Sequence, residues 1–344
     1  MKKIIILFAV SLLIISCERK TETLGPDLSD IYGPFTVFEE FDVSKNTVDF
    51  STGESINFSA RFSKTVDWEV KIIGQTSGAT KILTGKTKVL DETTARWKGS
   101  TTELPMFKTE KCNAYIIIED EGYADTILNI TINGTKVNDG FNVADFENGI
   151  NPDWKIFKQS GANMSFFTVQ SDTAAQADHY YDMGGEVTFD YLIGYIYFPA
   201  DAYVDSATNL PYERFPLSSN PGDVFFNVLL NVPEGINNEI VLFQLTEDDN
   251  EDGIFQESSE DMYSIELKHG GDAGLQAGWQ TISVRYSDLT ALVNGAPATP
   301  NGNGIKEPHK LMEVRTLFLA DPSSGYSQTF MDYMIFTENG PLEP

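Results

Sequence analysis

The segment DVFFNVLLNVPEGINNEIVLFQLTE, residues 223–247, decides the fold class of this chain. Its two apolar runs, 223–232 and 239–247, are as short as strands, and Pro233 and Gly235 lie between them as turn residues. Similar short segments, separated by turn residues, recur along most of the chain. No stretch keeps a helical period of 3.6 residues over the length of a helix. The pattern therefore predicts an all-β protein built from sandwiches or barrels.

Strand candidates extend from this segment in both directions and form two units. The second unit, residues 138–344, has more strands than an immunoglobulin domain, which favours a larger β-jelly-roll sandwich. Its other candidates are GFNVADFE (140–147), MSFFTVQ (164–170), YLIGYIYF (191–198), MYSIELK (262–268), WQTISVRY (279–286), EVRTLFLAD (313–321) and TFMDYMIFT (329–337). The first unit, residues 35–136, has the size of an immunoglobulin-like β-sandwich, and Trp68 is its expected core aromatic.

The N-terminus, MKKIIILFAVSLLIISC (1–17), has the form of a bacterial lipoprotein signal peptide. Lys2 and Lys3 precede an apolar run too short to span a bilayer, and Ser16 lies directly before Cys17. We expect Cys17 to be acylated, so that lipid alone anchors the chain, with residues 18–34 as a flexible tether. An ordinary secretory signal with an incidental cysteine is the alternative.

The charge balance narrows the possible partners. The formal net charge is −27, from 51 acidic and 24 basic residues. Nucleic-acid binding is not expected, because phosphate recognition needs a basic surface. Neutral ligands or cations such as calcium are the natural partners. Cys112 is the only cysteine besides Cys17. It lies in a segment of alternating apolar residues and is expected in the core.

Two groups of acidic residues are candidate calcium sites. Asp248, Asn250 and Asp252, followed by Gly253, match the first half of a calcium-binding loop. Glu257, Glu260 or Asp261 could complete this site at the tip of a hairpin, and a solvated acidic turn is the alternative. Asp145 and Glu147 near the start of the second unit could share a structural calcium with Asp332 in its last strand, because first and last strands of jelly rolls are often neighbours.

The sequence gives little support for catalysis. None of the HExxH, GxSxG, Walker A and Rossmann motifs occurs. The three histidines, His179, His269 and His309, all lie in polar segments typical of turns. We therefore expect a non-catalytic protein.

Tyrosines are concentrated in the second unit, and a sugar ring can stack on tyrosine or tryptophan while polar groups bind its hydroxyls. Tyr191, Tyr195 and Tyr197 share one side of a strand, and we interpret that row as core, with a ligand platform as the alternative. The long segment 200–221 is expected to be a functional loop. The candidate ligand contacts, most of them in expected loops, are Trp154, Tyr180, Tyr181, Tyr203, Tyr212, Arg214 and Tyr326.

The chain resembles the surface glycan-binding lipoproteins of Gram-negative polysaccharide-utilisation systems. The resemblance rests on the lipoprotein signal, the tether, the immunoglobulin-like unit and three stretches of the second unit. These stretches are VADFENGINPDW (143–154), GWQTISVRYSDL (278–289) and TFMDYMIFT (329–337). It implies that Glu147 and Asp332 contribute to a structural calcium site.

The resemblance further implies a polysaccharide ligand, captured for an outer-membrane uptake porin and its lipoprotein partners, and the acidic charge of the chain predicts that this polysaccharide is neutral. It places the chain at the outer membrane, facing the exterior. The mixed charges of residues 18–22 differ from the acidic export signal of that family, so a periplasm-facing anchor is the alternative. A lipid-anchored glycoside hydrolase or polysaccharide lyase, and an envelope adhesion protein, are the alternative functions.

Overall fold

A computed structural model describes residues 33–270 and 274–344. The signal segment, Cys17 and most of the expected tether lie outside the described residues, and their roles stay predictions. Within the described ranges, no helix is both long enough and apolar enough to cross a bilayer.

The first unit contains a seven-stranded sheet. Five strands follow the order β1-β3-β6-β7-β2, and β4 and β5 also pair with β3. The strands are β1 (Val37–Val43), β2 (Thr47–Asp49), β3 (Ile56–Gly74), β4 (Thr80–Leu90), β5 (Arg96–Trp97), β6 (Lys111–Ile118) and β7 (Tyr123–Gly134).

The long strand β3 organises this unit. Its first half pairs with β1 and its second half with β6, and its side chains alternate between the core and the surface. The predictions that Trp68 and Cys112 lie in the core are confirmed, because both are buried. The Trp68 indole Nε1 donates a hydrogen bond to Thr87 Oγ1 at 2.8 Å, so its polar atom is also satisfied.

The second unit contains the remaining described strands. They are β8 (Phe141–Ala144), β9 (Lys155–Lys158), β10 (Ala162–Gln170), β11 (His179–Glu186), β12 (Leu192–Pro199), β13 (Val224–Val232), β14 (Glu239–Glu247), β15 (Met262–Lys268), β16 (Gly278–Arg285), β17 (Leu292–Val293), β18 (Ala296–Pro297), β19 (Leu311–Ala320) and β20 (Ser327–Glu338). The helical turns in the described parts of the two units are one-turn 3₁₀ helices at Phe50–Thr52, Glu119–Glu121, Ala200–Ala202, Tyr286–Asp288 and Pro308–Lys310.

Two antiparallel sheets of this unit enclose one core. One has the order β10-β11-β20-β13-β16, with β8 also paired to β20, and the other has the order β15-β14-β19-β12-β9. Alternation along the strands places Phe226 of the first sheet against Phe243 of the second, with ring centroids 5.0 Å apart. The predicted all-β class is confirmed, and each strand candidate of the second unit contains a strand. Strands β9, β11, β17 and β18 are missing from the candidates.

The two units contact each other along a short seam. Met106 N donates to Ala175 O at 2.7 Å, and Lys108 Nζ donates to Asp178 Oδ1 at 2.9 Å. The apolar part of the seam is formed by Met106, Ala175, Leu229, Tyr333, Ile335 and Leu342. These contacts combine apolar burial with paired polar groups, and they hold the first unit against the sheet that contains β20.

Candidate functional site

The outer surface of the five-stranded sheet carries a row of aromatic side chains. Strand β12 turns Ile196 and Phe198 into the core, so Tyr195 and Tyr197 point the opposite way, out of the sheet. Phe157 on β9 lies opposite Tyr195 in the register and also faces outward. We call Phe157, Tyr195, Tyr197, Arg315 and Phe255 the tyrosine face.

The interpretation of the tyrosine row as core is therefore wrong. Alternation along a strand fixes which residues share a side, but not which side is buried. Tyr195 and Tyr197 are half-buried on the outer surface. Tyr191 precedes β12, is 53% exposed and donates to Asp321 Oδ2 at 3.2 Å. The alternative of a ligand platform fits this placement.

The rings of the tyrosine face stack on one another. The Phe157 and Tyr195 centroids lie 5.3 Å apart with an interplanar angle of 28°, and those of Tyr195 and Tyr197 lie 4.1 Å apart at 17°. The Arg315 guanidinium continues the stack, with Cζ 5.1 Å from the Tyr197 centroid and 4.9 Å from the Phe255 centroid. The result is a continuous layered strip of four rings and one cation.

The guanidinium is held in place by an ion-pair network. Arg315 Nε donates to Glu313 Oε1 at 2.7 Å, and Lys155 Nζ donates to Glu313 Oε2 at 2.6 Å. Within the described residues, the Nη groups of Arg315 have no hydrogen-bond partner, and neither do the hydroxyls of Tyr195 and Tyr197. The strip therefore offers fixed donors that a polar ligand could use.

A cleft of about 580 Å³ adjoins the strip. Arg315 and Phe255 belong both to the strip and to the lining of the cleft, and Tyr212 and Arg214 in the lining come from the long loop after β12. Its charged lining consists of Lys155, Arg214 and Arg315 against Asp201, Glu213, Glu251, Asp252 and Glu313. Carboxylates thus outnumber cations in the cleft.

The long loop between β12 and β13 packs against the core. Three of the predicted ligand contacts, Tyr203, Tyr212 and Trp154, are therefore partly buried there. Tyr203 donates from its hydroxyl to Val143 O at 2.6 Å and accepts a hydrogen bond from Trp154 Nε1 at 3.1 Å. Burial raises the pKa of Tyr203 above its usual range. Both rings of this pair pack on the core. Tyr212 packs edge-to-face on Phe141 and also lines the cleft.

Tyr203 lies in a loop, as expected, but it packs on the core, because the loop folds back over the core instead of projecting from it. Arg214 lines the cleft, but its guanidinium is already paired. Its Nη2 lies 2.8 Å from Asp248 Oδ2. We therefore assign Tyr203 and Trp154 a packing role, whereas Tyr212 and Arg214 remain candidate contacts.

The other predicted tyrosines lie on the opposite sheet or directly beside it. Tyr180 and Tyr181 belong to β11, so their placement in a loop is wrong. Tyr181 is fully buried and stacks on Phe146 at 5.3 Å, which excludes it as a surface contact. Tyr180 packs on Phe330 on the outer surface, and Tyr326 lies just before β20. The predicted contacts therefore do not form one site.

Sequence reasoning missed Phe157, Phe255 and Arg315. Strand β9 has only four residues, too few for a visible alternation. The other two did leave signals. Arg315 is a charged residue inside an apolar strand, and Ile254-Phe255 is an apolar pair inside an acidic segment.

The acidic loop, residues 247–261, brings its carboxylates together in two groups. Asp248, Asp252 and Glu260 form one, and Glu247, Asp249 and Asp261 form the other. In each group, one ligand atom per residue lies within 4.8 Å of the others. Of the three residues suggested to complete the first site, Glu260 joins it and Asp261 joins the second. Calcium binding at Asp248, Asn250 and Asp252 stays a prediction.

Buried carboxylates in this loop have few cationic partners. Asp248 is fully buried and pairs with Arg214, and it also accepts hydrogen bonds from Asp252 N and Gly253 N. Glu247 accepts from the Tyr286 hydroxyl at 2.6 Å and from Glu307 N at 2.9 Å. Burial raises the pKa of Glu247 to about 8.

Glu147 and Asp332 both bind the segment before β11. Glu147 Oε1 accepts from Asp178 N and His179 N, at 2.9 and 2.8 Å, and Asp332 Oδ2 accepts from Gln176 N at 2.8 Å. Burial raises the pKa of Asp332 well above its usual range. The two carboxylates thus meet at one segment, as expected for neighbouring first and last strands, and a shared calcium there stays a prediction.

Comparisons with known proteins give likenesses of structure only. No family model and no curated protein sequence matches the chain. A family 11 carbohydrate-binding module of a cellulosomal cellulase from Clostridium thermocellum is 14% identical. The match covers 60% of this chain and 97% of that one, with a TM-score of 0.37.

Two further likenesses are similarly distant. SGBP-B from a complex xyloglucan utilization locus in Bacteroides uniformis is 14% identical, and the match covers 89% of this chain and 73% of that one, with a TM-score of 0.36. The K1 cleaved adhesin domain of Lys-gingipain from Porphyromonas gingivalis is 13% identical, with coverage of 59% and 100% and a TM-score of 0.31. With such TM-scores, the likenesses add nothing to the fold described above.

Proposed function

We propose that this chain is a non-catalytic protein that binds a neutral polysaccharide on the tyrosine face and in the adjoining cleft. The observation that carries the proposal is the layered strip of Phe157, Tyr195, Tyr197, Arg315 and Phe255 on the outer surface of a rigid sheet. Strips of this kind match an extended ligand better than a small enclosed one.

The chemistry of the strip fits sugars. A sugar ring has apolar C–H faces that pack on aromatic rings, and hydroxyls that need hydrogen-bond partners. The Arg315 guanidinium is a planar donor fixed by Glu313 at 2.7 Å, so little conformational freedom is lost when it binds a hydroxyl pair. The tyrosine hydroxyls can donate or accept beside it.

The charge of the cleft favours a neutral ligand. Five carboxylates and three cations line the cleft. Arg315 and Lys155 both pair with Glu313, and Arg214 pairs with the buried Asp248, so all three cations already have an anionic partner. The net charge of −27 adds long-range repulsion toward polyanions. An acidic polysaccharide would therefore be disfavoured.

We also propose a location and partners for this chain. The sequence 1–17 supports anchoring by lipid at Cys17, and the resemblance to surface glycan-binding lipoproteins supports the outer membrane, facing the exterior. There the chain would hold polysaccharide near an uptake porin and its lipoprotein partners. A tethered binder gains from multivalent contact with a long polymer, so a shallow strip is sufficient.

Affinity electrophoresis and calorimetry of the purified protein test the ligand class. We expect retarded migration with at least one of several neutral polysaccharides, such as mixed-linkage glucan, xylan or mannan, no retardation with polygalacturonate, and no new reducing ends. The release of reducing ends would show a glycoside hydrolase, and unsaturated products a polysaccharide lyase. Retardation by polygalacturonate alone would contradict a neutral ligand.

Two substitutions test the location. Loss of one aromatic contact removes about 0.5 to 1.5 kcal/mol beyond area burial, so Tyr197→Ala should weaken binding up to about tenfold. Arg315→Lys keeps the charge but loses the planar stack and should weaken binding similarly. Phe167→Ala, at an exposed ring on the opposite sheet, is the matched control and should bind normally. Full affinity of both test variants would place the site elsewhere.

A further inference from the structure

Of the two carboxylate groups of the acidic loop, we call Glu247, Asp249 and Asp261 the inner group and Asp248, Asp252 and Glu260 the outer group. Glu247 and Asp261 are fully buried, and the three residues of the inner group each place one ligand atom within 4.8 Å of the others. Calcium binds oxygen atoms at 2.3–2.6 Å. Three oxygens within 4.8 Å of one another can therefore all contact one calcium ion placed between them.

Glu247 supplies a separate observation that points to a ligand. Its Oε1 atom accepts hydrogen bonds from the Tyr286 hydroxyl and Glu307 N. Its Oε2 atom is buried and has no hydrogen-bond partner among the described residues. A buried carboxylate oxygen without a partner is costly, and a bound cation would supply the missing partner.

The nearby cations are committed to other groups. Arg214 pairs with Asp248 of the outer group, and Lys310 Nζ lies 3.2 Å from Glu307 and 3.7 Å from Glu251. Asp249 and Asp261 accept hydrogen bonds mainly from backbone N–H groups of Gly302, Asn303 and Gly304. Lys310 Nζ also donates to Asp249 O at 3.3 Å, but among the described residues no lysine, arginine or histidine forms an ion pair with a carboxylate of the inner group.

We propose that Glu247, Asp249 and Asp261 bind a divalent cation with the oxygen-ligand chemistry of Ca²⁺, and that this ion fixes the acidic loop. Glu247 is the last residue of β14 and the first of the loop, Asp261 is the last residue of the loop directly before β15, and Asp249 lies two residues after Glu247. One ion therefore ties both ends of the loop to the sheet.

The acidic loop carries one ring of the strip, so the position of the loop decides where that ring lies. Phe255 lies between the two ends and packs on Arg315, with Cζ 4.9 Å from the ring centroid. Glu251, Asp252, Gly253 and Ile254 line the cleft beside it. Removal of the ion would therefore free one wall of the cleft and weaken polysaccharide binding. This second step rests on the proposed function, whereas the metal site does not.

Titration of the purified protein with CaCl₂ alone tests the metal site, with MgCl₂ as the comparison. We expect calorimetric binding of calcium and a higher melting temperature in calcium than in EDTA. Glu247→Gln keeps the shape of the side chain but removes its charge, and should weaken calcium binding at least tenfold. Glu257→Gln, an exposed acid of the same loop outside both groups, is the matched control and should bind as the wild type does.

Several results would overturn the assignment. An unchanged melting temperature and no heat of binding in the wild type would exclude the site. Binding that survives in Glu247→Gln but is lost in Asp252→Asn would place the ion in the outer group instead. The melting temperature of Glu247→Gln in EDTA shows whether the variant folds, and we expect it at or above that of the wild type.

The coupling has its own test. At a calcium concentration that fills the site of the wild type but not that of Glu247→Gln, polysaccharide affinity should fall at least threefold on addition of EDTA for the wild type and stay constant for the variant. Calcium binding with an unchanged polysaccharide affinity would disprove the coupling and leave the metal site intact. Calcium binding without any polysaccharide binding would refute the proposed function alone.

Discussion

Asp182 shows how one buried charge sets a pH dependence. It lies on β11, is 8% exposed, and accepts hydrogen bonds from Ser165 Oγ at 2.9 Å and Gln328 Nε2 at 3.0 Å. Both partners are neutral, so they stabilise the ionised form less than water does. Burial therefore raises the pKa of Asp182 above its ordinary value.

The sign of the effect on stability follows from proton linkage. Below the pKa of the unfolded chain, Asp182 is protonated in both states and has no effect. As the pH rises above it, the unfolded chain releases the proton first, so the free energy of unfolding falls until the folded-state pKa is passed. Each pKa unit corresponds to about 1.4 kcal/mol.

We predict that Asp182→Asn removes this loss. Urea denaturation between pH 4 and pH 7 should show the wild type losing stability relative to the variant as the pH rises. Asn keeps an acceptor for Ser165, and Gln328 can rotate to accept from its amide. A stability difference that stays constant across this range would show that Asp182 is not ionising there.

The strands show what alternation in a sequence can and cannot determine. Strands such as β13 and β14 could be predicted, because their apolar side chains face a core on at least one side. Strand β11, which lies between β10 and β20, could not, because Asp182, Gly184 and Gly185 interrupt its apolar pattern. Its polar and glycine residues resemble a loop when only the sequence is considered.

The tyrosine face could be predicted only in part. The sequence places Tyr195 and Tyr197 on one side of one strand, but the packing of the two sheets, which buries Ile196 and Phe198, decides that this side faces out. Arg315 is distant in sequence and reaches Tyr197 only through that pairing, where the two residues are cross-strand neighbours. The partners in the strip therefore depend on register, which a single strand cannot encode.

The long loop shows the opposite case. The segment 200–221 was correctly predicted to lack regular strands, and β12 and β13 end and begin just outside it. The roles of its aromatic residues were not predictable. Phe215 is buried, and Tyr203 packs beside it, because the loop must cover apolar surface that the sheets leave open.

At the scale of the whole molecule, the seam between the units fixes their relative position. Met106 lies at its apolar centre and Lys108 at its polar margin. We predict that Met106→Asp separates the units, since it buries an unpaired charge. Small-angle X-ray scattering should show a larger radius of gyration, while polysaccharide affinity stays unchanged, because the tyrosine face lies on the other sheet.

Met106→Leu is the control, because it nearly conserves volume and should cost less than about 1.5 kcal/mol. Its scattering profile should match that of the wild type. If Met106→Asp also gave the wild-type profile while remaining folded, other contacts of the seam would be sufficient to hold the units together.

The proposed anchor is also a property of the whole molecule. We predict that Cys17→Ala moves the protein from the membrane fraction to the soluble fraction without changing its melting temperature. Cys112→Ala is the matched control and should stay with the membrane, since this thiol is buried in the first unit. Membrane association of Cys17→Ala would rule out the lipid anchor.

The stacking of Tyr195 and Tyr197 has an optical consequence. Two nearly parallel phenol rings with centroids 4.1 Å apart are close enough for their electronic transitions to mix. Their fixed angle within a chiral sheet gives the pair a circular dichroism band in the near ultraviolet, and the band changes when either ring rotates. The outer surface of the five-stranded sheet thus carries a built-in chromophore pair, which senses contact with a colourless ligand without any label.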